Sequence, residues 1–132
     1  MIYEIADLRI RIENRCSFTT EFCKEYFSQI DGTFDLSAKV SKAAFAEEKH
    51  LSPGYSDGYI ENICLYREIC MQLPRFDRFL LHAAVLSFAG EGYAFLGRSG
   101  VGKSTHTGLW LKYLPETRII NGDKPVIAKK GS

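Results

Sequence analysis

The 132 residues are one ordinary domain's worth of chain, and 45% hydrophobic with 25% charged residues is the composition of a globular protein able to bury a core. Seventeen basic against sixteen acidic side chains leave a net charge of +1, so no basic footprint for nucleic acid is expected and any phosphate binding must be local. No apolar run reaches the roughly eighteen residues that cross a bilayer, and the interleaved charges of MIYEIADLRIRIENR are unlike a secretory leader, so no membrane partner and a cytoplasmic location are expected.

In chain order, the alternation from Leu8 to Ile12 predicts a half-buried strand within residues 2–12. Phe22, Cys23, Tyr26, Phe27 and Ile30 then recur at helical spacing. They predict an amphipathic helix with Ser17, Thr19 or Thr20 as N-cap, stopped by Asp31-Gly32. TFDLSAKV reads as a second strand and SKAAFAEEKH as a short helix. After the turn-rich LSPGYSDG, a longer helix is expected from Ser56 or Asp57 to about Leu73. Its stripe would be Tyr59, Ile63, Tyr66, Cys70 and Leu73, and Pro74 supplies the stop.

Cys16, Cys23, Cys64 and Cys70 match no zinc spacing; two disulfides are open to an even count, but four buried or partly buried thiols are expected in a cytosolic context. Residues 1–74 therefore read as a small α+β region and 75–132 as a second domain. In the latter, FLLHAAVLSFAG reads as one nearly continuous apolar strand with His82 in its middle. AGEG is a hairpin-type turn, YAFLG a second strand, Lys103–Leu114 a helix closed by Pro115, and TRIINGD a further short strand ending near Asp123.

Between strand and helix lies GRSGVGKS, where Gly97, Gly102, Lys103 and Ser104 satisfy G-x-x-x-x-G-K-[ST]. Glycines let the backbone approach phosphate oxygens, successive N–H groups of residues 97–102 form an anion nest, and the helix start adds its own free N–H groups. Gly97, Arg98, Ser99, Gly100, Val101, Gly102, Lys103, Ser104 and Thr105 are thus the expected nucleotide-binding residues. In this reading Lys103 reaches the β/γ phosphates, Ser104 ligates Mg²⁺ and Thr105 sits beside the α/β phosphates.

Asp123 follows the loop by about twenty residues, where phosphate-loop proteins place a metal-holding acid; Asn-Gly-Asp is equally a natural turn. His82 among apolar residues reads first as a hydrogen-bonded core residue, and His106 as neutral or solvated in the first helical turn. Arg98 and Lys124 are either phosphate-neutralising or plain surface cations.

The stretch LLHAAVLSFAGEGYAFLGRSGVGKSTHTGLWL resembles the catalytic domain of HPr kinase/phosphorylase, whose nucleotide-binding architecture is shared with ATP-dependent phosphoenolpyruvate carboxykinase. SDGYIENICLYREI, GKSTHTGLW and NGDKPVI are similar to motifs of uncharacterised bacterial HPr-kinase-like proteins, so the resemblance runs from about residue 52 onward. It implies a phosphate-loop nucleotide-binding domain with a mixed sheet, bound ATP or another NTP, and Mg²⁺ on Ser104 and Asp123. It also implies Asp123 and His82 as catalytic residues near the phosphates. Gly122-Asp123 stands where HPr kinase has two adjacent aspartates, and Thr105 where it has a glutamate. Because such domains continue beyond AKKGS, the chain is expected to be incomplete at its C-terminus, or to be completed by another chain, as in a homo-oligomer.

Three functions follow in order of preference: an ATP/Mg²⁺-dependent phosphotransferase acting on a protein serine or a small-molecule hydroxyl; a nucleotide- or phosphate-binding module without turnover; and a phosphoenolpyruvate carboxykinase-like enzyme, for which no arginine-rich carboxylate site is visible.

Overall fold

The alternation from Leu8 to Ile12 falls within one strand, the second of a hairpin. In the computed structural model, which describes residues 1–30 and 32–131, β1 (Ile2–Ile5) and β2 (Leu8–Glu13) pair antiparallel. They meet through Ala6 and Asp7, both at positive φ, as a type I′ turn requires. β2 buries Leu8, Ile10 and Ile12 and turns Arg11 and Glu13 outward. β3 (Leu36–Lys39) adds to β2 in parallel, giving a mixed three-stranded sheet in the order β1-β2-β3. Three helices belong to the same unit: α1 (Ser17–Phe22), α2 (Lys42–Leu51) and α3 (Asp57–Gln72), with α3 packed on β3, α1 and α2. Ser41 caps α2 and Ser56 caps α3, each hydroxyl accepting an N–H from the first turn.

Two expectations fail here for identifiable reasons. The helix predicted within residues 17–30 ends at Phe22 and passes into a 3-10 turn, Lys24–Tyr26, leaving Phe22, Tyr26, Phe27 and Ile30 exposed. The chain leaves the helix because the edge of β1 offers better backbone partners. Phe27 bridges to Tyr3, Ser28 N–H donates to the Ile2 carbonyl at 2.9 Å, and the Tyr3 and Phe27 rings meet edge to face at 6.0 Å. The expected stop at Asp31 lies outside the described residues. The α1 cap is Cys16, not Ser17, Thr19 or Thr20, and it makes no side-chain capping hydrogen bond.

The other failure is the face of α3. Ile60, Glu61, Cys64 and Leu65 are buried on α3; of the expected stripe Leu73, just past the helix, is buried, whereas Tyr59 is exposed and Ile63, Tyr66 and Cys70 are half-buried. Glu61 turns inward because its carboxylate accepts from Arg15 N–H (2.9 and 3.1 Å) and from Cys16 N–H (2.8 Å), stabilising the start of α1 from another helix. Glu48 of α2 is buried in the same manner, accepting from Arg67 Nη2 (2.7 Å) and Ser52 Oγ (2.9 Å). All four cysteines are free thiols, with Cys64 buried.

The chain divides into two compact units at Asp77/Arg78, where the sequence placed the boundary at Pro74. In the second unit β4 (Arg78–Leu80) pairs antiparallel with β8 (Val126–Ala128). β5 (Ala83–Phe88) lies between β6 (Glu91–Leu96) and β7 (Arg118–Asn121), antiparallel to both. The described pairings of this unit are therefore antiparallel where a mixed sheet was expected. The hairpin partner β5 separates β6 from β7, so the two strands that share a direction never touch. α4 (Lys103–Tyr113) packs on β5. Within this unit Ala83, Ala84, Leu86, Thr107 and Pro125 are buried. The chain as a whole is mixed α/β, with small sheets and four α-helices among the described residues. No helix among them is long and apolar enough to cross a membrane.

Candidate functional site

The glycine loop lies where β6 gives way to α4. A turn closes it, with Val101 N–H donating to the Arg98 carbonyl at 3.2 Å. Gly102, at φ +100°, is the residue from which α4 starts, a backbone state that side-chain-bearing residues adopt only with strain. A Cβ on Gly97 would lie 2.7 Å from Val101 Cγ1, so any side chain there would push Val101 aside. No side chain caps the start of α4, which leaves the positive end of its dipole for whatever approaches the loop. Lys103 folds back over the loop, its ammonium donating to the carbonyls of Gly97 (2.8 Å) and Arg98 (3.2 Å). Ser104 and Thr105 stand exposed in the first helical turn, and buried Thr107 donates its hydroxyl to the Ser104 carbonyl at 3.1 Å.

His106 turns out to be part of a ring cluster. Its Nε2 accepts from the Trp110 indole N–H at 3.1 Å, which leaves Nδ1 as the protonated nitrogen of the neutral ring. The ring stands edge to face against Phe95 of β6 at 4.6 Å, while Trp110 contacts Phe88, Tyr93 and Phe95. These contacts pack α4 against the sheet, so His106 serves the helix that carries the loop.

His82 is not in the middle of a strand. The apolar run breaks at Leu81-His82, between β4 and β5, because the neighbours of His82 are bonded to the segment after β7. Leu81 N–H donates to the Pro125 carbonyl (3.0 Å), and Ala83 N–H to the Asp123 carbonyl (3.0 Å) and the Leu81 carbonyl (3.1 Å). The break brings His82 Nε2 to 3.1 Å from Asp123 Oδ1. Since an ionised carboxylate can only accept, Nε2 carries the proton of this bond. Lys124 Nζ lies 3.7 Å from the other carboxylate oxygen. Both members of the pair are open to solvent, His82 at 45% and Asp123 at 65% side-chain exposure.

Strand register ties the two features together. Ala83 pairs with Leu96, the residue before the loop, and Asn121 pairs with Val85. His82, Asp123 and Gly97 therefore emerge from the same end of the three-stranded sheet. The arrangement gathers the expected loop residues 97–102 with Lys103, sets Ser104 and Thr105 at the helix start, and joins His82 to Asp123. Among the described residues no group of three or more His, Cys, Asp or Glu could hold a metal by itself. Ser104 carries a hydroxyl and Asp123 a carboxylate, oxygen donors of the kind that Mg²⁺ takes one or two of, the rest of its shell being phosphate and water.

One contributor was not singled out by sequence. Asn121 Oδ1 accepts from the backbone N–H of both Asp123 (3.0 Å) and Lys124 (2.9 Å). The cue was available in Asn-Gly-Asp, a turn sequence in which the first side chain bonds the backbone two residues on. Comparison with protein-family models, with curated proteins and with solved structures finds no match for this chain.

Proposed function

We propose that the chain binds a nucleoside triphosphate at residues 97–105 and belongs to a phosphotransferase of the HPr-kinase-like kind. The observation that carries this reading is the common end of the sheet, from which the glycine loop, His82 and Asp123 all emerge. In this reading the loop N–H groups and the start of α4 hold the phosphates, and Lys103 exchanges its two loop carbonyls for β/γ-phosphate oxygens. Ser104 and Asp123 hold Mg²⁺, which supplies charge neutralisation at the phosphates. The acceptor, a protein serine or a small-molecule hydroxyl, attacks the γ-phosphorus through its oxygen while the bond to the β–γ bridging oxygen breaks and the diphosphate leaves. The hydroxyl proton passes to the Asp123 carboxylate, which His82 holds by hydrogen bond. Most of the acceleration in such a site comes from positioning and charge neutralisation.

Calorimetry with Mg·ATP tests the binding. Lys103→Ala should weaken affinity about tenfold, the loss expected of one charge-assisted phosphate contact. Equal binding by wild type and variant would sink the assignment of the loop. Transfer of labelled γ-phosphate to hydroxyl acceptors, or its release as phosphate, tests turnover.

A binding module without turnover is the second reading. It is favoured by the lone Asp123, which stands where HPr kinase has two adjacent aspartates. Binding of Mg·ATP with neither transfer nor hydrolysis would select it.

A further inference from the structure

We infer that Asn121 is a positioning residue that holds Asp123 against His82. The inference rests on the reading of that pair as the proton-accepting side of a phosphotransfer site, but its geometry is independent of any nucleotide.

Asn121 closes β7, and the strand reaches it through an irregularity. Val85 pairs with Asn121 while the next residue of β5, Leu86, pairs with Ile119, so Ile120 is the extra residue of a β-bulge. Bulges re-aim the side chains beside them. Here the amide of Asn121 turns along its own chain, and one oxygen accepts two consecutive N–H groups, those of Asp123 and Lys124. That oxygen has two lone pairs to offer, and both are used on a turn that begins with the conformationally free Gly122.

Asp123 is then fixed at both ends of its own backbone. Its N–H goes to Asn121 Oδ1 and its carbonyl accepts from Ala83 N–H at 3.0 Å. The opposing side is held by the same segment, because Leu81 and Ala83 donate to the carbonyls of Pro125 and Asp123 and so clasp His82 between them. With the backbone of residues 81–83 and 123–125 registered in this way, the side chains have little left to search. His82 Nε2 and Asp123 Oδ1 meet at 3.1 Å although both are largely solvent-exposed, a setting in which an isolated pair gains little by itself. The side chain of Asn121 anchors this turn from outside the two clasped segments, and it also holds the backbone of Lys124, whose ammonium lies 3.7 Å from Asp123 Oδ2. Removing the anchor leaves the strands paired and frees the Gly122-Asp123 turn to rotate the carboxylate away.

The test is the ¹⁵N–¹H spectrum of the His82 imidazole in the nucleotide-free chain, recorded at one pH for wild type, Asn121→Ala, Asn121→Asp and Asp123→Ala. In Asn121→Ala the His82 resonances should move toward those of Asp123→Ala. In Asn121→Asp, whose carboxylate oxygen can accept the same two N–H groups, they should stay near wild type. Wild-type resonances in Asn121→Ala, or a shift in Asn121→Asp as large as in Asn121→Ala, would overturn the inference. Should Asn121→Ala fail to fold, amide exchange in the wild type decides: Asp123 and Lys124 should exchange at least about tenfold more slowly than in a free chain, and free-chain rates would overturn it.

Turnover adds a second readout. The hydrogen bonds of Asn121 go to the turn, so Asn121→Ala should lower kcat by roughly tenfold to a hundredfold, and any rise in the KM for Mg·ATP should accompany that loss because Asp123 is also read as holding Mg²⁺. A rise in KM with kcat intact would overturn the positioning role. If the wild type binds no nucleotide, the phosphotransfer reading falls, while the imidazole spectrum still decides the role of Asn121.

Discussion

Lys103, Asn121 and Glu61 solve one problem at three places: each uses a side chain to satisfy backbone groups that no helix or strand ladder reaches. Lys103 donates to two loop carbonyls, Asn121 accepts two turn N–H groups, and Glu61 accepts the N–H groups of Arg15 and Cys16. A site that binds phosphate through such groups has to exchange one set of bonds for another, so the lysine is poised and not free. Thr19 is the opposite case. Its hydroxyl is buried at 1% exposure in α1, and among the described residues it has no hydrogen-bond partner. Burial of an unpaired hydroxyl costs on the order of 1–3 kcal/mol, and an apolar group of the same shape avoids it. Thr19→Val should therefore raise stability by about 1 kcal/mol, read as a higher urea midpoint with an unchanged slope. A lower midpoint would mean that the hydroxyl has a partner in solution.

At the scale of elements, α2 and α3 are joined by a buried carboxylate whose charge depends on pH. The Arg67 guanidinium, followed by the Ser52 hydroxyl, holds the Glu48 carboxyl below the usual glutamate range. A lowered folded value means that the unfolded chain binds the proton more readily. The contribution is therefore complete above the ordinary glutamate value of about 4.3 and is lost as pH falls through the lower folded value. Arg67→Met should lower the urea midpoint at neutral pH, and the gap to wild type should close on acidification below about pH 4. A gap that stays constant down to that pH would show that the pair does not carry the effect.

The same helices show what was legible in the sequence and what was not. Ser41 and Ser56 announce their helices because a cap is a local device. The face that α3 buries was misread because Glu61 enters the interior through Arg15 and Cys16, partners distant in sequence. Likewise the strand through His82 was drawn unbroken, since apolar content says nothing of the Leu81 and Ala83 bonds that interrupt it. The loop from Gly97 to Lys103 could be read because its constraints lie within seven consecutive residues, whereas the His82–Asp123 pair needs strand register.

Over the whole molecule, the two units differ sharply in what they bury. Ile2, Tyr3, Leu8, Ile10, Ile12, Leu36, Val40, Ile60, Leu65 and Leu73 are all buried in the first, but Leu86 is the sole large aliphatic buried in the second among the described residues. Phe79, Leu96, Leu109, Leu111, Tyr113, Ile119 and Ile120 of the second unit are exposed. At roughly 25 cal/mol for each Å² of apolar surface buried, the first unit holds most of the hydrophobic stabilisation. The second has less to set against the entropy of ordering its backbone. The chain should accordingly unfold in two steps, the second unit first. Trp110 is its single tryptophan and lies in α4, packed on Phe95, so indole fluorescence reports the second unit alone while far-UV circular dichroism reports both. In urea the fluorescence transition should precede the main dichroism transition. If the glycine loop binds Mg·ATP, ligand at a hundred times its dissociation constant should stabilise the reported unit by about 2.7 kcal/mol. That would move the fluorescence midpoint toward the later transition and leave the later one in place. Coincident fluorescence and dichroism curves without ligand would refute the separation, because the two units would then unfold as one.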